Sequence, residues 1–163
     1  MTRTIRNLAA LAVLSTALVA TSAQAATQCD TFAFNGQTEQ ADPQSPFVGS
    51  MELTNLATGA THSVGVVTML LGFTGPDMAV TSHEIRGAGT PGIDLVTFDD
   101  AGLVPTGASG EYTLLSRLRV KTGAGAYTCG ELVTDASSTV NLATGVARYT
   151  GFGRLCRCKP SDN

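Results

Sequence analysis

Tryptophan is missing from this chain, histidine occurs twice, and charged side chains make up only 14% of it. Two histidines, His62 and His83, give little imidazole support to a metal site. None of the 18 glycines stands in a G-x-G-x-x-G or G-x-x-x-x-G-K-[ST] setting between a strand and a helix, which excludes the common phosphate-binding loops. There is no G-x-S-x-G either, so the serine-hydrolase elbow is absent. Acidic residues outnumber basic ones, 13 to 10, and the one basic cluster, Arg154 to Lys159, is short and free of aromatics. Both facts argue against nucleic acid as a partner. No apolar run reaches the about 20 residues that a membrane-spanning helix needs. No motif calls for a cofactor or a metal.

What is present begins with Arg3 and Arg6, an apolar run from Leu8 to Ala20, and Ala23-Gln24-Ala25. These are the basic, hydrophobic and small-x-small regions of a secretory signal peptide. Residues 1–25 are expected to be removed on export, leaving 26–163 as a single domain, secreted or periplasmic, with no membrane segment. A lipid anchor would need a cysteine directly after the hydrophobic run, whereas Cys29 follows Ala26-Thr27-Gln28.

All four cysteines, Cys29, Cys129, Cys156 and Cys158, fall in the exported part, and an even number in an oxidising compartment points to disulfides. In an extended 154–158 segment, Cys156 and Cys158 face the same side about 7 Å apart, too far for an unstrained bridge between them. Cys29 is then expected to pair with one of them and Cys129 with the other. Cys156-x-Cys158 as a metal clip is the rival, and it lacks histidine support.

Period-two alternation and glycine-rich turns run through the chain, and no stretch shows a helical period. Strand-like segments fall at 31–34, 48–54, 61–73, 78–86, 93–98, 111–121, 127–141 and 146–155, which gives an all-β fold, one antiparallel barrel of about eight strands. Residues 35–46 and 99–110 read as loops. The pentapeptide Asn-Leu-Ala-Thr-Gly occurs at 55–59 and again at 141–145, each time between two strands. Gly59 and Gly145 are expected to close these turns in the left-handed region. Within 111–121, Tyr112, Leu114, Ser116, Leu118 and Val120 share one face, and Arg117, Arg119 and Lys121 share the other. Segment 61–73 is apolar on both faces and is expected to be the most buried strand. The lumen would be lined mainly by aliphatic and Met side chains.

Ser82-His83, Leu103-Val-Pro-Thr106, Gly110-Glu-Tyr-Thr-Leu-Leu-Ser-Arg-Leu118, Gly123-Ala-Gly-Ala-Tyr127, Asn141-Leu-Ala-Thr-Gly145 and the closing Gly153-Arg-Leu-Cys156 together resemble a family of secreted bacterial proteins with an allene-oxide-cyclase-like (dirigent-like, calycin-type) β-barrel. The likeness covers residues 47–156. It implies an eight-stranded calycin-like barrel that either steers a cyclisation inside an apolar lumen or binds a small molecule without chemistry. The chain departs from the family at Gly123-Ala124-Gly125-Ala126-Tyr127, where the pattern has Gly-Thr-Gly-Arg-Tyr, so no role for that Arg carries over; the C-x-C ending is unusual as well. Barrels of the dirigent type form trimers, which makes 61–73 an alternative homo-oligomer interface.

His83 and Arg117 are the catalytic candidates. Inside a strand, His83 would face the lumen and serve as acid or base, or else pair structurally with a carboxylate, though Glu84 points to the other face. An inward Arg117 at the barrel mouth would hold a ligand carboxylate in a bidentate fork, although it shares the wetter face of its strand. The ligand-binding candidates are Asp100, at a strand end where Asp99-Asp100 also suits a turn, and the hydroxyls of Tyr112 and Tyr127. His62 reads as a solvated residue at a hairpin end. The leading expectation is an exported barrel binding a small apolar molecule in its lumen. The alternatives are a cyclase or isomerase acting on a flexible apolar substrate, and a filled barrel with a structural or interaction role in the cell envelope. An open lumen with inward His83 or Arg117 favours the enzyme, an aliphatic one the carrier, a packed one the structural role.

Overall fold

The computed structural model describes residues 28–87 and 92–158. The expected signal peptide, 1–25, lies outside the described residues. Ten strands follow one another: β1 (Gln28–Gln40), β2 (Phe47–Asn55), β3 (Thr61–Gly75), β4 (Met78–Arg86), β5 (Ile93–Pro105), β6 (Glu111–Leu115), β7 (Arg117–Gly125), β8 (Cys129–Thr134), β9 (Thr139–Asn141) and β10 (Val146–Arg157). Every pairing is antiparallel, and β1 pairs with β2 on one side and β10 on the other, so the sheet returns on itself as a ring. β5 pairs with both β6 and β7, and β10 with both β8 and β9. Ten strands therefore occupy eight places around the ring, each of two places being shared by a broken strand.

The breaks have local causes. Between β6 and β7, the Ser116 N–H donates to the Thr134 hydroxyl at 2.7 Å, leaving the regular ladder. Between β8 and β9, the Asp135 carboxylate accepts the Ser137 N–H at 2.8 Å and holds a turn. The twin pentapeptides form matching turns: the Asn55 side chain accepts the N–H groups of Ala57 and Thr58, the Asn141 side chain those of Ala143 and Thr144. Gly59 and Gly145 follow with φ of 73° and 67°, in the left-handed region as their position requires.

Three sequence expectations are corrected. β1 runs on to Gln40 and β5 to Pro105, through stretches read as loops, because the inward alternation continues there: Thr38 is fully buried, and Ala101 and Leu103 face the core. Among the described residues the strand count is ten, not about eight. β3 is not the most buried strand: Val64, Val66 and Thr68 point inward, but the outer face is open at Met69 and Leu71.

The turns divide into two ends. At the end called upper here lie residues 41–46, 76–77, 106–110 and 142–145; at the lower end lie 56–60 and both ends of the described chain. Phe32, Leu53, Ile85, Leu95, Leu132 and Leu155 are fully buried and form an interior plug. Each contributes about 1.5–3 kcal/mol of burial. Disulfides Cys29–Cys156 and Cys129–Cys158 sit at the lower end, each taking one cysteine of the C-x-C pair. The first joins the first strand to the last.

Candidate functional site

Inward alternation brings polar side chains from separate strands to one level above the plug. Thr68 of β3 lies opposite His83 of β4, and Thr81 of β4 opposite Asp99 of β5. Ser116 enters from the break between β6 and β7, and Tyr149 from β10. His83 is 4% exposed and Asp99 8%. A carboxylate this deep is tolerated only when hydrogen-bonded and paired. Asp99 accepts from His83 Nε2 at 3.0 Å, from the Thr81 hydroxyl, and through its second oxygen from the Ser116 hydroxyl. A carboxylate only accepts, so the His83 proton sits on Nε2. The Thr68 hydroxyl meets Nδ1 at 2.8 Å. Tyr149 shares a short hydrogen bond with Thr38, and burial holds its phenol above the ordinary tyrosine range.

Over this level lies a cavity of about 50 Å³. Its walls are hydrocarbon, chiefly Phe47, Leu70, Phe73, Leu103 and Leu142, and its floor is Thr68, Thr81, His83, Ser116 and Tyr149. Asp99 does not line it but holds three floor groups from behind. The volume admits a few waters or a short apolar group, well below the about 300 Å³ of a typical ligand pocket. Leu70, Phe73 and Leu142 at the rim are all exposed to solvent. Deeper still, Thr97 is fully buried, and its hydroxyl is the buried side-chain polar atom without a partner among the described residues.

The chemistry of this arrangement is restricted. The Ser116 hydroxyl is held by Asp99 and no imidazole nitrogen stands ready to take its proton, so it is not set up as a nucleophile. The connected hydroxyls, imidazole and carboxylate can instead donate, accept or pass a proton at the cavity floor.

Of the candidates read from sequence, His83 faces the interior and meets a carboxylate, that of Asp99. Arg117 does not accompany it: the phase of β7 turns Arg117, Arg119 and Lys121 outward, and the Arg117 side chain is more than half exposed, 3.9 Å from Glu131. Asp100 likewise points out of the wall, beside Phe98, Arg117, Arg119 and Lys121 in a shallow external groove. Its neighbour Asp99 carries the inward carboxylate. Tyr112 is half-buried against the core and does not line the cavity. Tyr127 is buried at the lower end, where its hydroxyl donates to Asp30 at 2.6 Å and the Arg157 guanidinium lies 5.3 Å from its ring centre. Burial and the Asp30 carboxylate push its phenol up to about 12. His62 is half-buried, edge-on to Phe32.

Sequence reasoning missed Thr68, Thr81, Asp99, Ser116 and Tyr149 as members of the site. The signal for Asp99 was present in its phase with Leu95, Ala101 and Leu103. Among the described residues no group of three His, Cys, Asp or Glu is placed to hold a metal ion. No family model, curated protein or solved structure matches the chain.

Proposed function

We propose that the protein binds a small, largely apolar molecule at the upper mouth of the ring, with one polar atom reaching the floor formed by Thr68, Thr81, His83 and Ser116. The observation that carries this reading is a hydrocarbon-walled cavity that ends on a connected polar network. Apolar side chains of similar size would stabilise that level as well or better, so the network is better accounted for by recognition than by stability. The family resemblance and the two disulfides support an exported binding protein of calycin type, with residues 1–25 as its signal peptide. A homotrimer is part of the same resemblance.

The network also favours one ligand chemistry. Thr81 and Ser116 give their protons to Asp99; the Thr81 oxygen also lies 3.1 Å from His83 Nε2, which leaves the Ser116 oxygen lone pairs for the cavity, and no Lys or Arg lines it. Such a floor suits a hydroxyl donor and repels a carboxylate. Native mass spectrometry of the exported protein from its own host tests for a retained molecule, and competition against an apolar fluorescent probe tests its class. A short-chain alcohol is expected to displace the probe at lower concentration than the carboxylate of equal length. Ala147→Phe, which fills the cavity from its wall, is expected to abolish probe binding. A bare mass with no probe binding by the parent protein would move the reading to a filled, structural ring.

The His83–Asp99 pair favours a second reading, a cyclase or isomerase that moves a proton on the bound apolar substrate. His83→Gln would then retain the probe and lose turnover of the retained molecule.

A further inference from the structure

We propose that the upper end of the ring inserts into the surface of an electrically neutral lipid layer, with the β3–β4 hairpin as the inserting element. The proposal goes beyond ligand binding and stands whether or not the cavity takes a ligand. Met69 and Leu71 are 49% and 52% exposed on the outer face of the hairpin. Leu70 and Phe73, which follow the inward phase, are also open at 40% and 55%, at the cavity mouth where β3 has run past the end of β2. Met78 across the turn and Leu142 at the same end extend the apolar surface.

Exposure on both faces selects the occupant. A protein partner, or a second copy of this chain, laid against the outer face of β3 would cover Met69 and Leu71 and leave Leu70 and Phe73 in water. A lipid layer surrounds a protruding hairpin and covers both. β3 and β4 pair with each other up to Gly75 and Met78; the other edge of β3 is open beyond Thr68, where β2 ends, so the hairpin enters only the interface, where water still reaches that edge. Register irregularities between Leu70 and Gly72 and between Phe73 and Gly75 bend the tip out of the regular pleat.

Charge selects the lipid. The sequence has no Asp, Glu, Lys or Arg from residue 53 to residue 76. The four connections of the upper end, 41–46, 76–77, 106–110 and 142–145, contain Asp42 and Asp77 but no Lys or Arg. Peripheral proteins drawn to anionic lipid use clustered cations, which this end lacks. Attachment here rests on burial of apolar side chains in the interface and is indifferent to salt. The cavity mouth shares this rim, so an apolar molecule would pass between lipid and cavity without crossing water.

The test uses protein recovered after export, its mass verifying loss of residues 1–25, mixed with phosphatidylcholine vesicles and with vesicles that also contain phosphatidylglycerol, at low and high salt. Comparison with Met69→Asp/Leu71→Asp cancels any contribution from elsewhere in the chain; both residues are exposed and outside the cavity, so the variant keeps its fold and its probe binding. Co-sedimentation with phosphatidylcholine alone, insensitive to salt and reduced about tenfold or more in the variant, supports the proposal. No binding to phosphatidylcholine, a requirement for phosphatidylglycerol, or equal binding by the variant overturns it. A stable oligomer of the parent that dissociates in the variant also overturns it, in favour of a second copy as occupant. Loss of probe binding with vesicle binding intact would remove the ligand reading and leave this one standing.

Discussion

Asp99 gathers three donors, from His83, Thr81 and Ser116, inside a wall that is otherwise mostly hydrocarbon. Asp99→Ala would strand all three, and we expect it to lower stability by about 3 kcal/mol or more, measured by urea unfolding. Asp99→Asn, which keeps an acceptor oxygen, should cost less. Tyr127 gives a second test at this scale. Its phenol titrates at about 12 rather than at the ordinary 10.0, chiefly through burial and then through the Asp30 carboxylate. A pKa raised on folding contributes stability that is complete below the unfolded value and lost as pH rises through the folded one. Unfolding free energy is therefore expected to fall between about pH 10 and 12, and Tyr127→Phe should remove that component of the fall. The site was partly legible in the sequence: period two turns His83, Ser116 and Asp99 inward, but Asp99-Asp100 also has the look of a turn. Thr68, Thr81 and Tyr149 were not legible, because an inward Thr or Tyr carries no mark until cross-strand register puts it beside an imidazole.

The two Asn-Leu-Ala-Thr-Gly turns are the same element in two settings. Around Gly59 an added Cβ meets nothing, whereas at Gly145 it would come 2.9 Å from the Gln40 carbonyl oxygen. Both substitutions to Ala carry the cost of positive φ, about 1 kcal/mol, but only Gly145→Ala also displaces a neighbour. Thermal melting should therefore rank Gly145→Ala as the more damaging change by about 1 kcal/mol or more. Turn chemistry of this kind, set by residues in one short stretch, was readable from the sequence, and so was the alternation along 111–121. Strand ends were less so. Gly, Pro, Gln and Asp in 35–46 and 99–110 weaken local strand propensity, yet pairing with β2, β4 and β10 extends β1 and β5 through them. The division of β6 from β7 is invisible locally, since Ser116 keeps the phase of Leu114 and Leu118. The outward exposure of β3 was missed because an apolar outer face looks alike whether a neighbour covers it or nothing does.

At the scale of the molecule, the ring closes where the first strand meets the last, and there the sheet is also joined covalently by Cys29–Cys156, a pair separated by 127 positions. Restricting a loop of that length in the unfolded chain is worth about 5 kcal/mol, against about 3.6 for the 29-position loop of Cys129–Cys158. Cys29→Ser/Cys156→Ser is accordingly expected to melt well below Cys129→Ser/Cys158→Ser, and reductant should lower the melting temperature of the parent below either. The upper rim, by contrast, has no covalent tie: its cavity and its hairpin are held by packing and hydrogen bonds alone. Rigidity is thus concentrated at one pole and adaptability at the other. The joined ends have a further consequence for the wall's resistance to proteolysis. A single cut anywhere between residues 29 and 156 yields two segments that stay linked as one particle, so damage to an exposed connection opens the backbone without shedding a piece of the wall.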